Sequence, residues 1–273
     1  MIKITEQPSK YRHLEKMPIE EMTATINQED KKVAFSIEKA LPRINQLIIA
    51  IVEKLKSGGR IFYVATGSGG RLSVLDVIEL PTTFGVSSGV FNVVLAGGID
   101  RLVEALEEKE DDTEEGWTML NSQNISEKDI VVGISASGTT PFVLAALEEC
   151  HKRNITTGCI VSNPGSPIAE QADFSVEVIT GPEILAGSTR MKCGTAQKMI
   201  LDMISTTVMT QLGRVEDNRM VNMKMLNKKM MDRSVKMLME KAAINDYEAA
   251  KELLINHGSV KKALDFYQAK KLS

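Results

Sequence analysis

The chain reads as an α/β protein, a parallel sheet covered by helices on both faces, with helical extensions at its two ends. Three observations predict this. Five short apolar runs, at 60–65, 90–96, 129–135, 157–162 and 174–180, alternate with segments of helical period. That alternation builds a parallel sheet through right-handed crossovers. Four of the runs end in glycine or hydroxyl residues, TGSGG (66–70), GG (97–98), SASGTT (135–140) and NPGS (163–166). Beyond the fifth run the strand pattern stops and only helical periodicity remains.

Taken in order, residues 1–17 form a polar arm, and Met17-Pro18 leads into a helical segment over 19–27. Asp30 is placed to cap the next helix, over 31–56. Val33, Ile37, Ile44, Leu47, Ile51 and Leu55 recur there at helical spacing, and Pro42 is expected to end or kink an early turn. Ser57-Gly58-Gly59 stops this helix and launches the first strand. A helix over 100–110 follows the second strand, and the acidic run EEKEDDTEEG (107–116) reads as solvated surface. The third strand runs into a helix from Pro141 to about Arg153. Ala196, Met199, Ile200, Met203, Ile204, Val208 and Leu212 make one helical stripe, with Gly213 as its stop. A second long helix is predicted over 220–241, its methionines serving as core or interface filler. Two short helices, 246–256 and 259–268, are split by His257-Gly258. The chain therefore divides into an arm with helices (1–57), an α/β body (58–213) and a C-terminal helical region (214–273).

Composition excludes several function classes. The net charge is −3, so no basic field draws nucleic acid or an acidic membrane. Cys150, Cys159 and Cys193 give neither an even disulfide framework nor metal-ligand spacing, and read as reduced thiols of a cytoplasmic protein. The N-terminus lacks the apolar core of a signal peptide, and no apolar run is long enough to span a membrane. His13, His151 and His257 are far apart, which argues against a metal site or a Ser-His triad.

Chemistry concentrates at two strand ends. Gly67, Ser68, Gly69 and Gly70, followed by Arg71, stand between a strand and a helix. Ser135, Ser137, Gly138, Thr139 and Thr140 stand between the next central strand and its helix. Glycines let backbone N–H groups approach an anion, and hydroxyls add donors without a fixed charge. No lysine follows in Walker spacing, and 67-GSGGRL-72 lacks the third glycine of a dinucleotide fingerprint. A phosphorylated small molecule held by neutral groups is the ligand these residues predict.

SASGTTP (135–141), GSTRMKCGTAQK (187–198) and the strand-loop layout resemble the sugar isomerase (SIS) domain. More narrowly, TEQ (5–7), NQEDK (27–31), GRLSVLDVIELPTTFGV (70–86), LAGG (95–98), NPGS (163–166) and HGSVKKAL (257–264) resemble the N-acetylmuramic acid 6-phosphate etherases. The resemblance covers most of the chain. It implies a three-layer α/β/α sandwich with a five-stranded parallel sheet, a homodimer with composite active sites, and no metal or cofactor. It further implies cleavage of the lactyl ether at C3 of a phosphorylated amino sugar by elimination and rehydration. One group must take the C2 proton and another must protonate the departing oxygen, for which two carboxylates suffice.

By the same resemblance those carboxylates fall on Glu79 and Glu110, with Glu107 the alternative one helical turn away. Glu79, in VIELPTTFG, takes the proton-donor position. It is expected at a helix C-terminus before Pro81, where the helix dipole disfavours a negative charge. Ser188 and Lys192 are expected at the rim of the pocket. Three departures stand out. Gly69 replaces the family's usual serine, leaving Ser68 to supply the hydroxyl. EEKEDD precedes and contains the second glutamate where small residues are usual. The C-terminal helical part is shorter by roughly one small unit. A non-catalytic sugar-phosphate-binding regulator and a sugar-phosphate isomerase are the alternative functions of such a scaffold.

Overall fold

The structure is a computed structural model describing residues 3–104 and 107–272. The chain divides into two compact units: Met1–Val77 with Gly89–Ile204, and Ile78–Ser88 with Ser205–Ser273.

The first unit is built on five parallel strands, β1 (Ile61–Ala65), β2 (Phe91–Leu95), β3 (Ile130–Ser135), β4 (Thr156–Val161) and β5 (Phe174–Glu177), in the order β2-β1-β3-β4-β5. Central strands covered on both faces read as continuous apolar runs. Accordingly, every residue of β1 and of β3 is buried. Ala65 pairs with Ile134, so the loops after β1 and β3 leave the same edge side by side. Helices α3 (Glu115–Ser122) and α4 (Pro141–His151) close one side, packing Leu120, Phe142, Val143 and Leu147 on Phe62, Val64 and Val131. Helix α5 (Pro167–Gln171) adds Ile168 to the same cluster. The thiols of Cys150, Cys159 and Cys193 are free and buried. Burial pushes them up to about 12, 11 and 11, which keeps them protonated and inert.

Helix α1 (Ile19–Lys56) is one continuous element, and this corrects the sequence reading. Asp30 caps nothing; it lies mid-helix. Pro42 also sits inside the helix without ending it. Pro42 and Glu38, whose carbonyl loses its donor, are both on the exposed face, so water replaces the missing bond. The buried stripe Val33, Ile37, Ile44, Leu47 and Ile51 is uninterrupted.

Helix α2 (Gly67–Phe84) starts directly after Thr66, so the glycine-rich segment is its first turn and not a loop ahead of it. The helix predicted over 100–110 is replaced by two 3₁₀ turns, Ile99–Arg101 and Glu107–Asp111, while Ala105 and Leu106 lie outside the described residues. Like charges at 107, 108, 110, 111 and 112 repel at helical spacing. The acidic run is also partly structural. The Asp112 carboxylate accepts the N–H groups of Glu114 and Glu115, at 3.0 and 2.9 Å, at the start of α3. Helix α6 (Lys192–Gln211) starts one turn earlier than its apolar stripe suggests.

In the second unit the predicted helix over 220–241 is shorter and preceded by a hairpin, β6 (Val215–Glu216) and β7 (Arg219–Met220). Its two-residue turn puts Asp217 at φ 56°, as tight hairpin turns require. Helices α7 (Lys228–Ala242), α8 (Tyr247–His257) and α9 (Val260–Leu272) share a core of Val235, Leu238, Ala250, Leu254 and Ala263. Asn227 and Asp246 cap α7 and α8 through their side-chain oxygens. Among the described residues no helix is long and apolar enough to cross a membrane.

Candidate active site

The strand order reverses between β1 and β3, and in open parallel sheets ligands bind in the crevice at such a switch point. Two contiguous cavities open there. The smaller, about 180 Å³, is lined by Gly67, Ser68 and Gly69 from the first turn of α2 and by Ser135, Ser137 and Thr140 from the loop after β3. The larger, about 270 Å³, shares Gly67, Ser68, Glu110 and Thr189 with it and adds Arg71, Glu107 and Ser188.

The hydroxyl loop is preset by its own hydrogen bonds. Ser135 Oγ lies 2.8 Å from Thr140 Oγ1 and 3.2 Å from Ser137 Oγ. It accepts the Gly138 N–H at 3.1 Å, and Ser137 Oγ accepts the Thr139 N–H at 3.2 Å. Gly138 takes φ 70°, and a Cβ there would lie 2.2 Å from Ser166 Oγ, so only glycine closes this turn. Gly138 and Thr139 thus shape the loop without lining either cavity. Gly70 does the same for α2: a Cβ there would meet Leu95 Cδ1 at 2.2 Å. Gly69 faces Ile134 and Gln197, where an added Cβ would sit at 3.1 and 3.3 Å. A serine here would be tightly fitted, and Ser68 and Thr189 are the hydroxyl residues that line both cavities.

Glu110 is half-buried and lines both cavities; a Cβ built on Gly67 would stand 3.1 Å from its Oε1. Glu107 lines the larger one alone. Arg71 is anchored by carbonyls, its Nε donating to Leu102 O at 3.1 Å and its Nη2 to Glu104 O at 2.6 Å. Glu79 is exposed, belongs to the second unit and lines neither cavity. Its helix does not stop at Pro81 but runs on to Phe84. Glu79 therefore precedes the last turn, where the dipole argument applied.

Lys192 is not at the rim, correcting the expectation from sequence. Its ammonium is buried and donates to Glu29 Oε2 and to Pro182 O, both at 2.7 Å. The Glu183 carboxylate accepts the N–H groups of Lys192 and Cys193, at 3.1 and 2.9 Å, capping α6. These bonds pin both ends of the strap 183–191, which brings Gly187, Ser188 and Thr189 to the cavities. Burial would raise the Glu29 carboxyl, but hydrogen bonds from Lys192, Lys32 and Tyr11 outweigh it and bring it down to about 2.

Sequence reasoning missed several lining residues: Glu6, Thr66, Thr189 and Gln197 in the smaller cavity, and Arg101 and Arg190 in the larger. Glu6 and Gln197 lie within the quoted TEQ and GSTRMKCGTAQK segments, which was the available signal. Among the described residues the smaller cavity has no basic lining residue; an anion there is held by hydroxyls and helix N–H groups, against the carboxylates of Glu6 and Glu110 that line the same cavity. Among the same residues no group of three or more His, Cys, Asp or Glu could hold a metal ion.

The five-stranded parallel sheet with its covering helices is an SIS-type sandwich. Residues 111–207 match the SIS domain family, and residues 43–151 match the glucokinase regulatory protein N-terminal SIS domain. The fold is similar to that of a phosphoheptose isomerase from Francisella tularensis, with TM-score 0.53 and 16% identity over 73% of this chain and 100% of that one. It is also similar to the C-terminal domain of a glucosamine-fructose-6-phosphate aminotransferase from the same organism, with TM-score 0.51 and 18% identity over 86% of this chain and 57% of that one. Full-length similarity is more specific. The chain is 51% identical over 268 residues to the N-acetylmuramic acid 6-phosphate etherase of Bacteroides fragilis, covering 98% of this chain and 95% of that protein. It is 49% identical to the etherase of Porphyromonas gingivalis, covering 98% and 97%. It is 41% identical to that of a Geobacillus species, covering 95% and 88%. The chain belongs to the N-acetylmuramic acid 6-phosphate etherase family.

Proposed function

We propose that this protein cleaves the D-lactyl ether of N-acetylmuramic acid 6-phosphate by elimination and hydration, releasing N-acetylglucosamine 6-phosphate and D-lactate. The observation that carries the proposal is the convergence of Glu110 with the Ser68 and Ser135–Thr140 hydroxyls on one switch-point crevice, in a chain about half identical to etherases along its whole length.

The 6-phosphate is held at the smaller cavity by the first turn of α2 and the hydroxyls of Ser68, Ser135, Ser137 and Thr140. In the open-chain sugar the C1 aldehyde acidifies C2–H. Glu110 is the base that takes this proton, and the electron pair moves through the C2–C3 bond to expel the ether oxygen. Glu79 donates the proton that lets lactate leave. Water then adds at C3, and C2 is reprotonated. Glu79 and Glu110 belong to different units of the chain, and the protein works as a homodimer whose sites draw on two copies. Ile78, 62% exposed beside the exposed Glu79, is the position at which an interface there can be tested. The reaction takes place in the cytoplasm, where amino sugars from the cell wall are recycled.

The test is incubation with N-acetylmuramic acid 6-phosphate followed by a D-lactate assay. In deuterium oxide the product is expected to carry deuterium at C2, returned by a solvent-exchanged carboxyl. No lactate release would overturn the proposal in favour of a sugar-phosphate-binding regulator.

A further inference from the structure

The N-terminal arm is latched to the crevice by buried polar bonds. Thr5 is 1% exposed in a 3₁₀ turn, Ile4–Glu6, 158 residues away from its partner Asn163, which is equally buried. The Thr5 N–H donates to Asn163 Oδ1 at 3.1 Å, and Asn163 Nδ2 donates back to Thr5 Oγ1 at 2.9 Å. The same amide nitrogen donates to Ser137 O at 2.9 Å. One asparagine therefore ties the arm to the hydroxyl loop, and all its partners are inside the first unit.

The residue this latch delivers is Glu6. It lines the smaller cavity with Ser68, Ser137 and Glu110, and its Oε2 lies 3.6 Å from where a Cβ on Gly187 would stand. A carboxylate only accepts hydrogen bonds. Among the described residues its side chain has one hydrogen-bond partner, the Thr5 hydroxyl, which donates to Oε1 at 3.3 Å, so accepting capacity remains for a ligand. A carboxylate repels phosphate, so Glu6 has no use at the anion itself. It suits an O–H or N–H donor of the sugar that the phosphate carries, bound beside the anion in the same cavity.

We infer that Glu6 is a substrate-contacting, specificity-determining residue that accepts a hydrogen bond from a sugar hydroxyl or acylamino N–H, with Thr5 and Asn163 as its positioning residues. The inference rests on the reading of the crevice as a sugar-phosphate site. It explains why a chain whose body begins at α1 buries a threonine–asparagine pair to hold a charged residue at a cavity mouth.

The experiment compares two probes, N-acetylglucosamine 6-phosphate by calorimetry and inorganic phosphate by ³¹P NMR titration, on the full-length protein. Glu6→Gln and Glu6→Ala are expected to weaken the sugar phosphate tenfold or more while leaving inorganic phosphate within twofold or tighter, since a repelling charge is gone. Thr5→Val should show the same split, less strongly. Equal loss for both probes would mean that the arm merely props the loop and would overturn the inference. So would unchanged affinity for both, or a wild-type protein that binds neither. Lactate release decides the etherase reading separately: a wild-type protein that binds the sugar phosphate but releases no lactate fails that reading while the Glu6 comparison still stands.

Discussion

Two carboxylates with opposite surroundings set the residue-scale chemistry. Glu110 stands against the Gly67 backbone at the crevice, whereas Glu29 is buried with Lys192 away from it. Replacing Glu110 by Gln keeps its size and removes its titrating proton, which typically costs about 10²–10⁴-fold in rate. Lactate assays should show that loss for Glu110→Gln and for Glu79→Gln, with KM little changed. Glu107→Gln should stay near wild type, because Glu107 lines only the larger cavity; the reverse result at 107 and 110 would move the role one turn. The Glu29–Lys192 pair acts on stability. Glu29 is held at about 2 against an ordinary 4.5, so its contribution is complete above about pH 4.5 and is lost as pH falls through about 2. Lys192→Met removes the buried partner of Glu29 and leaves it Lys32 and Tyr11, so the loss is expected below the roughly 3–5 kcal/mol of a wholly unpaired buried charge. Urea unfolding at neutral pH measures that loss, and the gap to wild type should narrow in acid.

At the scale of elements, backbone shape decides what the hydroxyls can do. The loop after β3 folds over Gly138, where an added methyl group would strike Ser166. Gly138→Ala is expected to destabilise the protein by more than about 1 kcal/mol. It should also weaken phosphate binding, because the clash with Ser166 displaces the turn and moves the residue-138 N–H away from the Ser135 hydroxyl it holds in place. Thermal denaturation and a phosphate titration check both effects. The strands were legible because buried parallel strands are unbroken apolar runs flanked by turn residues. The start of α2 was not, since three glycines suggest a loop while the Gly70 N–H is in fact already bonded to Thr66 O at 2.9 Å. The β6–β7 hairpin was hidden by strands of only two residues each, too short to show alternation.

At the scale of the whole molecule the proposal is association into a homodimer. From the sequence the homodimer is implied by the family resemblance and the methionines over 220–241 are core or interface filler; α7 spends its apolar face inside the second unit's own core. The proposal of a homodimer rests on the family, and exposed apolar side chains such as Ile78 and, in the first unit, Leu185 at 55% exposure are where it can be tested. Sedimentation at micromolar concentration should give a dimer. Ile78→Glu should shift it toward monomer and lower lactate release together, whereas a dimer unaffected by that change would place the interface elsewhere.

The sequence by itself determined the fold class, the two hydroxyl and glycine segments, and the family. Each of these is written in local patterns: strand-length apolar runs, turn residues at their ends, and contiguous motifs. Only the tertiary structure decided which of those residues share a cavity. Ser68 and Ser137 meet because β1 and β3 are neighbours at the point where the strand order reverses. Lys192 turned inward because Glu29, 163 residues away, offers a buried carboxylate. Glu6 reached the crevice because Asn163 holds the arm. Such partnerships depend on chain closure over long separations, which no local spacing encodes.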